Sequence, residues 1–401
     1  MSVIGGDSEP GRPLREIPFA RAEVCDEALE AAARVLESGW LTSGPEVVGF
    51  EREFAQWVQA DDAIAVASCT AAIELALRAL QLPKGARVLT STLTFCGAVH
   101  AIIHAGLTPV LADIDPTTLC SDPQSCAAAA KRAGGVQAMV VTHYAGYPAP
   151  VGELAEAASI PLSRVVEDAA HALGATTGTT PVGASSAACC FSFYATKNLP
   201  IGEGGMVTTS DPTIADYLRR ARLHGMSHDA WKRYLPGSAW QYSVQIGGLK
   251  ANMTDVQAAI GRAQLRRFAG WQARRALLAN HYDEALDGIR GLKLPARPDK
   301  GDHAWHLYVL RVEAEYGTPR DQLVAALADQ GINCSVHFIP VHHFPYFRQV
   351  LDSELLGEHP NADTAFQQIL SLPLYPGLAL PDVDYVCEWI GTLSSIGIAL
   401  Q

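Results

Sequence analysis

Short, almost continuously apolar segments alternate with helical patterns in the first half of the chain. The apolar segments are residues 63–67, 87–89, 109–112, 138–141, 164–166 and 188–193, and helical patterns such as 71–80 and 96–105 separate them. Strands that are apolar on both faces and alternate with helices are typical of a mostly parallel sheet covered by helices on both sides. The sequence therefore predicts an α/β fold.

The second half of the chain predicts a different arrangement. A long helical pattern at residues 254–286 is expected to lead out of the sheet, and the apolar run 306–312 and the helical pattern 320–328 indicate a smaller α+β unit. We expect a flexible N-terminal arm at residues 1–15, a large α/β domain at residues 16–270 and a small C-terminal α+β domain at residues 271–401.

Composition limits the partners that this chain can have. Its 401 residues carry a net charge of -12, which argues against nucleic acid and anionic membranes, because both require a clustered positive field. The chain has no apolar run of about twenty residues and no signal-peptide pattern at its start, so we expect no contact with a membrane. Nine scattered cysteines without a Cys-x-x-Cys pair favour reduced thiols in a cytoplasmic protein.

Lys197 and Asp168 form the most informative pair of residues, because each follows a predicted strand. Taken singly, Lys197 is most often a solvated charge at a strand end and Asp168 a helix N-cap. Together they match the chemistry of pyridoxal 5'-phosphate (PLP). A buried lysine condenses with the cofactor aldehyde, and a carboxylate keeps the pyridine nitrogen protonated, so that the ring accepts electrons. Both residues lie where α/β folds carry their active sites.

The segment Ser68-Cys69-Thr70-Ala71 ends one strand and begins a helix. Its backbone amides and the Thr70 hydroxyl are expected to face an anion such as a phosphate, although a plain N-cap is the more common use of such residues. Phe95 also follows a strand and can stack on a flat ring or pack in the core. His171 lies three residues after Asp168, so both can address one ring; otherwise His171 has a packing role.

Seven segments, in this order, resemble the DegT/StrS-type sugar aminotransferases, which are fold-type I PLP enzymes. The resemblance covers nearly the whole chain and is carried by residues 39–45, 68–72, 167–171, 191–197, 202–205, 252–259 and 337–342. It implies a large domain with a mostly parallel seven-stranded sheet.

The resemblance also implies roles for individual residues. Lys197 binds the cofactor aldehyde and moves the proton, Asp168 pairs with the pyridinium and His171 binds the ring oxygen. Phe95 stacks on the ring. Thr70, Ala71 and Ser192 hold the phosphate, and Ser68 and Cys69 also belong to the cofactor-binding set. Cys69 stands where glycine is common in the family, which reduces backbone freedom but keeps the side chain small.

In this family a second subunit completes the site, which implies a homodimer with shared active sites. The resemblance places Lys250 in the loop that reaches the partner's phosphate. Many members have asparagine there, and a lysine can serve an anion by its charge or be a solvated loop residue.

The implied reaction is transamination in two stages. L-Glutamate gives its amino group to PLP, and the resulting pyridoxamine form aminates a keto sugar. Residues 252–255 look more like members that act on carbon 4, so we expect a dTDP- or UDP-linked 4-keto-6-deoxyhexose, most simply dTDP-4-keto-6-deoxyglucose. Candidates for substrate contacts are Thr42, Trp231, Lys232, Arg233, Tyr234, His337 and His342. The pair His342-His343 has no second ligand set at a matching spacing, so no metal is expected.

Other interpretations of the function remain open from the sequence. A 3-keto sugar or a cyclitol ketone would use the same residues. A related dehydratase would carry histidine in place of Lys197. A non-catalytic regulatory protein on the same fold would be free to lose Lys197 or Asp168. The Ala- and Arg-rich composition favours a secondary-metabolite pathway such as antibiotic biosynthesis.

Overall fold

A computed structural model describes residues 15–184, 186–226 and 242–396 of the chain. Twelve strands are described: β1 (Asp62–Val66), β2 (Arg87–Ser91), β3 (Thr108–Ala112), β4 (Ala138–Thr142), β5 (Val165–Asp168), β6 (Thr176–Thr177), β7 (Thr180–Pro181), β8 (Ala188–Ser192), β9 (Gly205–Thr209), β10 (Leu292–Lys293), β11 (Tyr308–Val312) and β12 (Ile369–Leu372).

The α-helices in this part of the chain are α1 (Asp26–Ser38), α2 (Pro45–Val58), α3 (Cys69–Ala79), α4 (Cys96–His104), α5 (Pro123–Arg132), α6 (Val151–Ala157), α7 (Pro212–Ala221), α8 (Asp255–Leu286), α9 (Arg320–Asp329), α10 (Pro345–Val350), α11 (Ser353–Leu356), α12 (Pro360–Gln368) and α13 (Leu380–Ile396).

Seven strands form the main sheet, in the order β1-β9-β8-β5-β4-β2-β3. The pairs from β8 to β3 are parallel, and β9 runs antiparallel to both of its neighbours. The predicted α/β class and mostly parallel sheet are confirmed. The six apolar segments correspond to six of these strands. The residue pattern did not reveal β9, because it begins at Gly205 after a glycine-rich turn that favours a loop.

Helix starts follow local sequence signals. The hydroxyl of Ser68 accepts a hydrogen bond from the amide of Ala71 at the start of α3. Thr254 and Gln257 form a capping box at the start of α8. The first cap sets the start of α3 at the carboxyl end of β1. The second sets the start of α8, which leads towards the C-terminal part of the chain.

A second core surrounds the small antiparallel sheet β10-β11-β12. It contains Tyr282 of α8 and also Ile17, which is 2% exposed and bridges to Ile332. The domain division near residue 270 stays a prediction. Two findings bear on it: α8 continues through residue 270, and the chain near Ile17 packs with C-terminal elements.

Two further expectations concern the membrane and the cysteines. Within the described residues, no helix is long and apolar enough to cross a membrane. All nine cysteines are free, and burial raises the pKa of several of them, including Cys120 and Cys126, to about 12.

Candidate active site

The carboxyl ends of β1, β5 and β8 meet at a cavity of about 530 Å³, a volume in the range of small-molecule sites. The fold brings most of the predicted site residues to its wall. Those that line it are Ser68, Cys69, Thr70, Phe95, Asp168, His171, Ser192, Lys197 and His337. Phe19, His306, Leu307, Phe338, Leu372 and Leu374 close it from the side of the small sheet.

Asp168 is the last residue of β5, and its carboxylate lies at the cavity, 6% exposed. Its Oδ1 accepts a hydrogen bond from the amide of Ala170 at 3.1 Å and a weak one from Sγ of Cys69 at 3.8 Å. Among the residues that the structure describes, none makes a hydrogen bond with Oδ2, so this oxygen is available to a ligand. Burial raises the pKa of Asp168, against the lowering effects of the Ala170 amide and Lys197.

Lys197 lies in the turn after β8, and its side chain lines the cavity. Burial lowers the pKa of its amine to about 8, although Asp168 and Cys69 act in the opposite direction. A lysine with this pKa is neutral for an appreciable fraction of the time near neutral pH. Its amine is therefore available as a nucleophile and as a base.

Two histidine rings lie side by side next to Lys197. The rings of His171 and His306 are 4.4 Å apart between centroids. Nδ1 of His171 accepts a hydrogen bond from the amide of Ala145 at 3.2 Å, so Nε2 carries the hydrogen and can donate it. Burial, with the nearby Lys197, lowers the pKa of both imidazoles well below the usual value. Both rings are therefore neutral at physiological pH.

The N-terminus of α3 forms another part of the wall. Ser68 and Thr70 line the cavity there, where the helix dipole favours an anion. Gly205 of β9 permits this placement, because a Cβ at that position would lie 2.6 Å from the carbonyl of Ser68. Ala71 does not line the cavity, and its amide donates to Oγ of Ser68 at 3.2 Å. The role of Ala71 at the phosphate stays a prediction.

Aromatic rings and His337 line the outer part of the cavity. Phe95 is 57% exposed, and its ring centroid is 5.9 Å from that of Phe338. His337 stacks on Phe19 at 5.2 Å, and its Nδ1 is 2.9 Å from Oγ of Ser371. Burial and the nearby Lys197 lower the pKa of His337 to about 4. The exposed face of Phe95 is thus available to cover a flat ligand.

Other predicted residues lie away from this cavity. His342 does not line the cavity, and its two ring nitrogens lie 2.7 Å from Oγ1 of Thr92 and 2.8 Å from Oδ1 of Asp363. Thr42 is exposed, and its carbonyl accepts the amide of Asp255. Lys250 is also exposed, and its ammonium donates to Oδ1 of Asn252. The predicted contacts of Trp231, Lys232, Arg233 and Tyr234 lie outside the described residues.

Several residues of the cavity wall were not among the predicted site residues. His306 and Phe338 come from the C-terminal part of the chain, Thr94 and Glu203 from loops at the main sheet, and Thr142 from the end of β4. His306 begins the apolar run 306–312, and Thr142 follows the apolar segment 138–141. Glu203 and Phe338 lie in segments that carry the family resemblance, and Thr94 had no signal of its own.

Comparison with known proteins decides the family. The family model for DegT/DnrJ/EryC1/StrS aminotransferases matches residues 23–391. The chain belongs to this family. The predicted aminotransferase class is thus confirmed, and the order of the seven segments is explained.

Individual relatives cover nearly all of the chain. The spore coat polysaccharide biosynthesis protein SpsC of Bacillus subtilis is 44% identical over 374 residues, 93% of this chain and 95% of that protein. A putative sugar aminotransferase of Streptococcus pneumoniae, Spr1654, in its PMP form, has a TM-score of 0.86 at 28% identity and covers 96% of this chain and 100% of its own. DesV of S. venezuelae, solved with a ketimine intermediate, has a TM-score of 0.81 at 32% identity and covers 94% and 99%.

The residues of this DegT/DnrJ/EryC1/StrS aminotransferase fit the predicted cofactor. The pneumococcal neighbour is known in PLP and PMP forms, and PLP is thereby confirmed as the cofactor at the level of the family. In this chain a lysine with a lowered pKa, a carboxylate with a free oxygen and a helix N-terminus line one cavity. These groups are a nucleophile for an aldehyde, an acceptor for a pyridinium N–H and a set of donors for a phosphate.

Proposed function

We propose that this protein is a PLP-dependent aminotransferase of a nucleotide-linked 4-keto-6-deoxyhexose, with L-glutamate as the amino donor. The observation that supports this most is the presence of Lys197, Asp168 and the start of α3 around one cavity. A relative in spore coat polysaccharide biosynthesis and a neighbour called a sugar aminotransferase favour a sugar substrate. The resemblance of residues 252–255 to carbon-4 enzymes favours dTDP-4-keto-6-deoxyglucose.

Each residue of the cavity has a task in this proposal. The bound cofactor supplies an electron sink for the carbon that loses its proton. Lys197 binds the aldehyde and afterwards takes and returns protons with its amine. The Asp168 carboxylate holds the proton on the ring nitrogen, and Nε2 of His171 donates to the ring oxygen. Thr70, the other predicted phosphate ligands and the α3 dipole bind the phosphate.

The surrounding groups orient the substrate and limit access of water. Phe95 covers one face of the ring, and Phe338 and Leu374 are apolar parts of the cavity wall. His337 is the predicted sugar contact that already lies at the wall. The neutral state of His171 and His306 keeps further positive charge away from the Lys197 amine, which would otherwise be a weaker base.

We also propose a homodimer in which Lys250 reaches the phosphate of the partner's site. Its exposed side chain and its absence from the cavity of its own chain are consistent with a role across an interface. We place the enzyme in the cytoplasm, where nine free cysteines stay reduced. A secondary-metabolite pathway remains the prediction drawn from composition.

An absorbance titration tests the proposal in three steps. Purified protein with PLP should show a band at roughly 410–430 nm, which moves to about 330 nm when glutamate is added. Addition of dTDP-4-keto-6-deoxyglucose should restore the first band. Restoration only by a 3-keto sugar or a cyclitol ketone would contradict the proposed substrate and keep the aminotransferase. Absence of any band would contradict the role of Lys197 and favour a regulatory protein.

A further inference from the structure

Two adjacent histidines and a carboxylate from another helix meet outside the active-site cavity. His342 and His343 lie in a single 3-10 turn, and Asp363 lies in α12. Nε2 of His342 and Nε2 of His343 are 2.8 and 2.7 Å from the same Oδ1 of Asp363. The sequence predicted no metal, because the two histidines had no further ligands at a matching spacing. The fold brings one further ligand to them, the carboxylate of Asp363 in α12.

The separation of these atoms suits a small divalent ion. One ligand atom from each of the three side chains lies within 4.8 Å of the others. Zinc bonds to histidine nitrogen and carboxylate oxygen are about 2.0–2.2 Å long, so tetrahedral ligand atoms lie roughly 3.3 Å apart. The two nitrogens therefore need to move from the oxygen by about half an ångström. The side chains of His343 and Asp363 are 35% and 44% exposed, which leaves room for this movement and for the entry of an ion.

The surroundings of His342 favour coordination. Its side chain is 9% exposed, and Oγ1 of Thr92 lies 2.7 Å from its Nδ1. In the metal-free protein Nε2 of His342 donates to Asp363. Coordination requires this hydrogen to move to Nδ1, where the Thr92 hydroxyl can accept it. Histidine ligands of metals are commonly held by an acceptor at the second nitrogen in this way.

Arg348 opposes coordination by His343. Its Nη2 is 3.3 Å from Nδ1 of His343, and its Nε donates to the carbonyl of His342 at 2.7 Å. A metal on Nε2 of His343 requires the hydrogen on Nδ1, so Nη2 of Arg348 has to turn away. Arg348 is therefore expected to weaken the affinity for the ion. Its replacement should raise that affinity, whereas replacement of a ligand should lower it.

We propose that His342, His343 and Asp363 bind a divalent transition-metal ion such as Zn²⁺, with water completing its coordination. Two imidazoles and one carboxylate prefer zinc and its neighbours to Mg²⁺ or Ca²⁺, which take mainly oxygen ligands.

The proposed ion has a structural role. The amide of Val341, next to His342, donates to the carbonyl of Thr92 at 2.8 Å, and Thr94 and Phe95 two and three residues later line the cavity. His337 and Phe338, earlier in the same segment as the two histidines, line it as well. The ion thus braces the segment that carries the outer wall and takes no part in amine transfer, so this inference is independent of the proposed function.

Calorimetric titration with Zn²⁺ tests the site in full-length protein that has been saturated with PLP and freed of chelator. PLP covers the cavity histidines, which would otherwise compete for the ion. We expect one ion per chain and an affinity that falls at least about tenfold in both Asp363→Asn and His343→Ala. Asp363→Asn keeps the size and an acceptor oxygen and removes only the charge. Arg348→Gln should bind Zn²⁺ more tightly than the wild type.

His104→Ala serves as the control, because His104 is an exposed histidine of α4 whose side chain is 57% exposed. It should leave the affinity unchanged. Co²⁺ in place of Zn²⁺ should give visible absorption bands in the wild type that are absent from Asp363→Asn, while both proteins melt at similar temperatures in the presence of chelator. The proposal is overturned if the wild type shows no saturable binding, or if Asp363→Asn and His343→Ala bind Zn²⁺ as the wild type does.

Discussion

Nζ of Lys197 lies 3.4 Å from Nε2 of His306, and Asn198 determines which form of the imidazole faces the lysine. The Nδ2 group of Asn198 donates to the carbonyl of Ala304 at 2.7 Å, which turns its Oδ1 towards Nδ1 of His306 at 3.1 Å. Nδ1 therefore carries the hydrogen, and the lone pair of Nε2 faces Lys197. His306 acts as a neutral acceptor for the lysine ammonium.

Replacement of His306 by leucine should lower the pKa of Lys197 further below its present value of about 8. The buried ammonium loses an acceptor that the neutral amine hardly needs, and a hydrogen bond to a charged group corresponds to a shift of about one pKa unit. More of the lysine is then neutral at pH 7, so the pH midpoint for PLP capture by the cofactor-free protein should move down. Stopped-flow absorbance across pH measures that midpoint.

His306→Gln is the matched variant, because the glutamine side-chain oxygen can reach the position of Nε2. Its midpoint should stay close to that of the wild type. An unchanged midpoint in His306→Leu would show that His306 does not stabilise the ammonium.

Replacement of Lys197 should abolish the lysine-bound cofactor band. Lys197→Arg keeps the positive charge but offers no nucleophilic amine at neutral pH, and Lys197→Ala removes both. Amine transfer should fall by at least about 10³-fold in each, since proton transfer by a positioned base is lost. A small primary amine such as ethylamine should restore part of the activity of Lys197→Ala and none of that of Lys197→Arg. Normal turnover in either variant would exclude Lys197 as the acid-base residue.

Replacement of Asp168 by asparagine should separate activity from stability. Without the carboxylate the ring nitrogen loses its proton, and amine transfer should fall by roughly 10²-fold or more. In the cofactor-free protein the effect on stability has the opposite sign. The folded-state pKa of Asp168 is raised by burial, so the folded protein binds its proton more tightly than the unfolded chain, and stability falls as pH rises through this range.

Asp168→Asn removes the unfavourable free energy of an ionised carboxylate that is buried in the folded protein. The cofactor-free variant should therefore melt at a higher temperature than the wild type at pH 7, and the difference should shrink as the pH is lowered. Calorimetry at several pH values checks this, and a lower melting temperature at pH 7 would mean that the buried carboxylate stabilises the fold.

The sequence carried enough information for the main sheet and for half of the site, because those residues follow a repeating local pattern. Lys197, Asp168 and Thr70 each lie at or within a few residues of the carboxyl end of an apolar strand, and parallel strands bring such positions to one edge. The strand β9 lacked this signal, since it starts with a glycine. Its place in the sheet became visible only through its pairing with β1 and β8.

Contacts between distant segments had no such local signal. His306 and Lys197 are 109 residues apart, and their meeting depends on how the small sheet packs against the main one. The same holds for Asp363, whose carboxylate reaches His342 from α12, 21 residues further along the chain. Hydrophobic patterns predict individual helices and strands. Which distant residues come into contact depends on how those helices and strands pack against one another.

Mixing the variants Lys250→Ala and Lys197→Ala at limiting PLP, where both should show little turnover, should reveal whether Lys250 acts in the partner's site. Lys250→Ala should weaken PLP binding, because the phosphate loses a cation, and Lys197→Ala should be inactive. If each site combines Lys197 of one chain with Lys250 of the other, a mixed dimer contains one site with both mutations and one site with neither. With random exchange half of the dimers are mixed, so activity should recover to about a quarter of the wild-type value. Turnover at limiting PLP, measured after subunit exchange, checks this value. No recovery, with exchange demonstrated by native mass spectrometry, would mean that Lys250 serves its own chain or has no role at the phosphate.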